Sequence, residues 1–153
     1  MVAFQVLYGL SFATVTTREE LERAFLSYPT KETAEGKAEE CGTEQPQGFA
    51  WELVSGVWEQ QAALDESISR YSQNWKLERI GHIELTLLRL AFFELFFRSD
   101  TPPRVVINEV LELSTHFAEI SAKKFINGLL DAAVKDKDKN QNCQVKRADR
   151  DPQ

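Results

Sequence analysis

Residues 83 to 97, Ile-Glu-Leu-Thr-Leu-Leu-Arg-Leu-Ala-Phe-Phe-Glu-Leu-Phe-Phe, decide the fold. Ile83, Leu87, Leu88, Leu90, Ala91, Phe93, Leu95 and Phe96 do not alternate as a half-buried strand would, and as a helix they cover nearly the whole circumference. Such a helix is stable in water only if other helices surround it. Arg89 and Glu94 interrupt the run, which is too short for roughly 30 Å of hydrocarbon, so it reads as a protein core and not a membrane span.

The flanking segments supply the surrounding helices. Upstream, Phe49, Leu53, Val54, Val57, Trp58, Ala62, Leu64, Ile68 and Tyr71 keep a helical period that predicts one long helix from Phe49 to Tyr71, and Trp75, Leu77, Ile80 and Gly81 make a tight re-entry. Ala3, Phe4, Val6, Leu7 and Leu10 predict a first helix ending near residue 14. Thr17-Arg-Glu-Glu20 has capping-box spacing and opens a short helix through Leu21 and Phe25 that Pro29 stops. Residues 30–47 contain no large apolar side chain and are expected to form a flexible loop, near which a boundary between two halves could fall. Downstream, Thr101 is expected to cap and Pro103 to start a helix reaching Phe117. Ser121 opens the last helix, whose stripe of Phe125, Ile126, Leu129, Leu130 and Ala133 carries it to about Lys135. Residues 136–153 then read as a disordered charged tail, leaving 1–135 as the folded domain. The fold class is all-α.

With 153 residues and a net charge of -6, the chain is large enough for one core and lacks the basic balance of a lone nucleic-acid binder. The 12 basic and 20 acidic residues of 1–134 make that stretch -8. Cys41 and Cys143 give neither a disulfide framework nor metal spacing, and the apolar N-terminus lacks the basic flank and cleavage site of a signal peptide, so a cytoplasmic location is expected. His82 and His116 fall in different helices, and no phosphate-cradling glycine loop or nucleophile motif occurs. No enzyme, cofactor or metal is expected. Gly128 stands mid-helix, where glycine costs about 1 kcal/mol against alanine, and predicts close approach of another backbone. Lys123 and Lys124 sit in the first turn of the last helix, the end that favours anions.

Four stretches in order, Trp75-x-Leu-Glu-Arg-Ile80, Leu88-Arg-Leu-Ala-x-x-Glu-Leu95, Pro103-x-Val-Val-Ile-Asn-Glu-x-x-Glu-Leu113 and Lys124-Phe-Ile-Asn-Gly-Leu-Leu-Asp131, closely resemble the NusB family of bacterial transcription antitermination factors. Gln5-Val-Leu-Tyr8 is similar to the family's first-helix motif. The resemblance implies two packed three-helix subdomains. It also implies pairing with NusE, a small-subunit ribosomal protein, and binding of the pair to single-stranded boxA-type RNA of ribosomal RNA leaders within the RNA polymerase antitermination complex. By position, Gln5, Lys123, Lys124, Phe125 and Asn127 match residues the family turns to RNA, while Tyr8, Glu78 and Glu84 match those it turns to its ribosomal partner. Lys and Asn suit phosphates and base edges, Phe125 suits stacking or the core, and the carboxylates suit a basic protein.

Two features depart from the family: no basic residue precedes Arg18, where an Arg/Lys-rich stretch is usual, and Ser114-Thr115 replaces a small residue and a lysine. Two other functions stay open at this level: a detached NusB-like domain of a ribosomal-RNA cytosine methyltransferase, and a protein-interaction module without RNA binding. The sequence leaves both a monomer and a homodimer open for the free protein.

Overall fold

The computed structural model describes residues 2–27, 48–72, 77–98 and 100–148. The loop expected at 30–47, Trp75 and the last five residues of the tail lie outside the described residues. Seven α-helices are present among them: α1 (Val2–Leu10), α2 (Arg18–Leu26), α3 (Phe49–Glu59), α4 (Gln61–Tyr71), α5 (His82–Phe97), α6 (Pro103–Phe117) and α7 (Ile120–Ala148), with a 3-10 turn at Leu77–Arg79 before α5. The chain divides into two compact units, Met1–Gln61 and Ala62–Gln153. The division falls at the start of α4, with three of the described helices before it and four after.

In the first unit α1 packs on α3 and α2. Ala3, Phe4 and Val6 meet a core that includes Leu21, Trp51, Leu53, Val54 and Val57. Helix α1 stops at Leu10 rather than near residue 14, because the chain tightens into i→i+3 bonds from Phe12 to Gly9 and from Ala13 to Leu10, and the Ser11 hydroxyl donates to the Tyr8 carbonyl at 2.6 Å. The capping box opens α2 as its spacing requires: the Glu20 amide donates to Thr17 Oγ1 at 3.3 Å and the Thr17 amide to Glu20 Oε2 at 3.2 Å. Backbone donors Thr16 and Thr17 hold the Glu20 carboxyl below the usual range. Arg18 lies over the Trp51 ring, 5.9 Å from its centroid, and Phe25 meets the same ring edge-on at 5.2 Å.

The predicted helix from Phe49 to Tyr71 is two helices that break at Gln60. Between Trp58 and Leu64 the sequence offers only Glu59, Gln60, Gln61, Ala62 and Ala63, so no large apolar side chain anchors a continuous rod there.

The second unit is built around α5. Leu87, Leu88, Leu90, Ala91, Phe92, Phe93 and Leu95 are buried, and each fully buried leucine or phenylalanine contributes about 1.5–3 kcal/mol. Helices α6 and α7 pack on α5 and on each other, with Val106, Val110 and Ser114 from α6 and Ile126, Leu129, Leu130 and Ala133 from α7. Helix α4 adds Leu64 and Ile68, and Asp65 receives a two-pronged ion pair from Arg89 at 2.7 and 2.9 Å. Pro103 starts α6 as expected, but Thr101 makes no cap; Pro102 occupies the capping position and has no side-chain donor or acceptor.

Helix α7 differs most from its sequence reading. It continues through Ala148, thirteen residues beyond Lys135, across a stretch expected to be irregular. Side chains tie the continuation down: the Tyr71 hydroxyl donates to Asp136 at 2.7 Å, and the Lys137 ammonium donates to the Leu95 carbonyl at the end of α5 and sits over the Phe96 ring, 5.7 Å from its centroid. Tyr71 is shifted above the ordinary phenol range, first by burial and then by its bond to Asp136.

Glu94, one of the two charged residues that interrupt the apolar run of α5, is buried. Burial, then the Glu109 carboxylate, push its carboxyl above the usual range, with Arg98 opposing them and Asp100 adding to them. A raised folded-state value means that the protonated acid stabilises the fold below the unfolded carboxylate range, and that this contribution is lost as pH rises through the folded value. Glu94→Gln is therefore expected to unfold at higher urea concentration at neutral pH, by roughly 1 kcal/mol, with the gain fading as wild type is titrated toward pH ~4.

Candidate nucleic-acid interface

Helix α7 presents two faces. Ile126, Leu130 and Ala133 point into the core, so Lys123, Lys124, Asn127 and Gly128 between them are exposed, and Phe125 is half-buried at the margin. The Lys123 ammonium donates to Thr115 Oγ1 at 3.2 Å, which fixes it beside the last turn of α6, where His116 and Phe117 are exposed. Ser114, one of the two residues that depart from the family's sequence, is fully buried, and its hydroxyl donates to Leu111 O at 2.7 Å. Thus four of the five residues that the resemblance assigns to RNA, Lys123, Lys124, Phe125 and Asn127, share the first turns of α7. The fifth, Gln5, is half-buried on α1 in the first unit.

The residues assigned to a protein partner are also divided. Tyr8 lies one turn beyond Gln5, half-buried, with its ring stacked on Phe4 at 6.1 Å and meeting Phe12 edge-on at 5.1 Å. Glu78 and Glu84 flank the turn that leads from the 3-10 segment into α5. Glu78 is exposed, whereas Glu84 is half-buried and its carboxylate folds back against Gly81 so closely that a side chain at 81 would displace it. Glu84 thus completes the N-terminus of α5, where a negative charge is favourable, as well as standing at the unit's surface.

No other backbone among the described residues comes close to Gly128. A Cβ placed there would meet nothing within 4 Å, because the residue lies on the outer side of α7. The sequence reading missed that side beyond residue 131: Lys135 is bonded to Asp131 at 2.9 Å in the i,i+4 geometry of a continuing helix, and Lys139 is exposed one turn later. The Asp131/Lys135 spacing was the available signal that the helix goes on.

Among the described residues no cluster of His, Cys, Asp and Glu is arranged to hold a metal, and no helix is long and apolar enough to cross a membrane. Residues 1–135 match the NusB family. The chain belongs to that family. It is similar to the transcription antitermination protein NusB of Desulfovibrio desulfuricans, at 56% identity over 135 residues, 88% of this chain and 80% of that one. It is similar also to the NusB of Nitratidesulfovibrio vulgaris strain DP4, at 49% identity over 88% of this chain and 84% of the other. Among solved structures, T. maritima NusB superposes with a TM-score of 0.66 at 27% identity, covering 88% of this chain and 86% of that one. A second structure contains the antitermination factors NusB and NusE in complex with double-stranded RNA; it superposes with a TM-score of 0.64 at 25% identity, covering 88% and 91%. The family is one of transcription antitermination proteins and is not enzymatic. The all-α fold and the family expected from the sequence are both met.

Because no described residue packs against Gly128, Gly128→Ala is expected to stabilise the chain by about 1 kcal/mol in chemical or thermal unfolding.

Proposed function

We propose that this chain acts in the cytoplasm as the RNA-binding subunit of an antitermination assembly: it pairs with NusE, and the pair binds single-stranded boxA-type RNA of ribosomal RNA leaders to support their transcription by RNA polymerase. In this reading residues 1–135 are the RNA- and partner-binding domain and 136–153 are an appended charged segment. The observation that carries the proposal is the outward presentation of Lys123, Lys124 and Asn127 at the start of the Lys124–Asp131 motif, next to a buried stripe that fixes their orientation. Two ammonium groups and an amide on one helical turn can neutralise phosphates and reach base edges, and Phe125 at the margin can contribute the edge of its ring. Gln5 is proposed as a further RNA contact from the first unit.

Net charge explains why a partner is needed. A chain at -6 repels RNA at long range, so a basic ribosomal protein docked on Tyr8, Glu78 and Glu84 would both satisfy the acidic surface and supply positive charge to the pair. The solved complex of a related NusB with NusE and double-stranded RNA supports pairing with NusE on RNA.

Mixing the chain with NusE and a boxA-type RNA should give a ternary complex in native gels or by anisotropy. Lys123→Ala with Lys124→Ala should weaken RNA binding roughly tenfold and reduce the salt slope by about 0.7 per phosphate no longer neutralised, leaving NusE pairing intact. Glu78→Gln with Glu84→Gln should instead weaken pairing with NusE in the absence of RNA. No ternary complex with wild type, or a double lysine variant indistinguishable from it, would overturn the proposal.

A further inference from the structure

The outer side of α7 extends well past the turns that carry Lys123 and Lys124. Lys124, Gly128, Asp131, Lys135 and Lys139 follow one another at steps of four, three, four and four residues, so they lie in a single row, and all five are exposed. The row covers about 22 Å at 1.5 Å per residue. Its one acid, Asp131, is engaged by Lys135, and Asp138 stands on its flank. Asp136 is turned away to the Tyr71 hydroxyl and Lys137 inward to α5, so the anchoring bonds and the row use different sides of the helix. Past Asp138 the helix runs to Ala148 through a sequence that contains Lys139, Lys146 and Arg147 and no acid. In a chain whose first 134 residues sum to -8, residues 135–148 sum to +3, five basic against two acidic.

Gly128 is the second observation. Glycine mid-helix is unfavourable, and no group among the described residues comes near enough to require it. A position without a side chain in the middle of a lysine row leaves a flat place where a flexible backbone can lie against the helix.

We propose that the outer side of α7 from Lys124 to Lys139 is a track for the backbone of single-stranded RNA running beyond the boxA-type element, with Lys135 and Lys139 contacting phosphates and Gly128 the point of closest approach. This rests on the RNA-binding reading above and adds to it a second, sequence-independent stretch of contact. Phosphate contacts of this kind lengthen the bound RNA without selecting its bases.

The test uses the full chain with NusE and two single-stranded RNAs, one of about 12 nucleotides carrying the boxA-type element and one about twice as long with a flanking extension. Lys135→Gln with Lys139→Gln should leave the short RNA unaffected, weaken the long one roughly fivefold or more, and flatten its salt slope by about 1.4. Gly128→Ala should weaken the long RNA severalfold while its thermal midpoint rises, which distinguishes a poorer fit to RNA from a poorer fold. The track is overturned if both variants bind the long RNA as wild type does, or if they weaken NusE pairing without RNA, which would make the row a protein surface. Failure of wild type to bind even the short RNA would instead sink the RNA-binding reading, and the track with it.

Discussion

Burial of α5 on nearly every side is the constraint on which the second unit depends. A helix whose Leu87, Leu88, Leu90, Ala91, Phe92 and Leu95 are all shielded from water must have neighbours around it, and α4, α6 and α7 take those places. The same burial carries polar groups inward. Arg89 is satisfied by the two oxygens of Asp65, whereas Glu94 is held near Glu109 with a carboxyl that resists ionisation. One charged residue of the central helix thus finds a matched partner, and the other is a standing cost at neutral pH.

The proposed RNA contacts rest on what this packing does to α7. Ile126, Leu130 and Ala133 can reach the core only if Lys124, Gly128 and Asp131 face out, and the bond from Lys137 to the end of α5 keeps the same orientation another turn and more along the helix. One side of the helix is thus devoted to the fold, and the other presents lysines at helical spacing. In the proposed function an acidic chain with a basic helix face shares the work with a basic partner, the pair supplying long-range attraction and the outer side of α7 the short-range contact.

Much of this was legible in local sequence. The all-round apolar run of α5, the Thr17/Glu20 capping box and Pro103 at the start of α6 each state their structure within a few residues, because the physics involved is local. The Phe125 to Asp131 motif carried the family and, with it, the exposed pair of lysines. What sequence could not show depended on distant groups. The burial of Glu94 depends on what α6 places beside it, and the anchoring of α7 beyond Lys135 depends on Tyr71 and the Leu95 carbonyl. Gly128 belongs with them: its place in the helical period allows a close helix crossing, and only the packing of α7 turns that side away from the other described residues.

The most direct measurement is an amide-resonance titration of the isotope-labelled chain, bound to unlabelled NusE, with boxA-bearing single-stranded RNA. Orientation of α7 by α5 predicts that the largest shifts fall on α7 between Ser121 and Lys139, with Gly128 prominent and the core residues of α5 little changed. Shifts that leave α7 unmoved and fall elsewhere in the chain would contradict it.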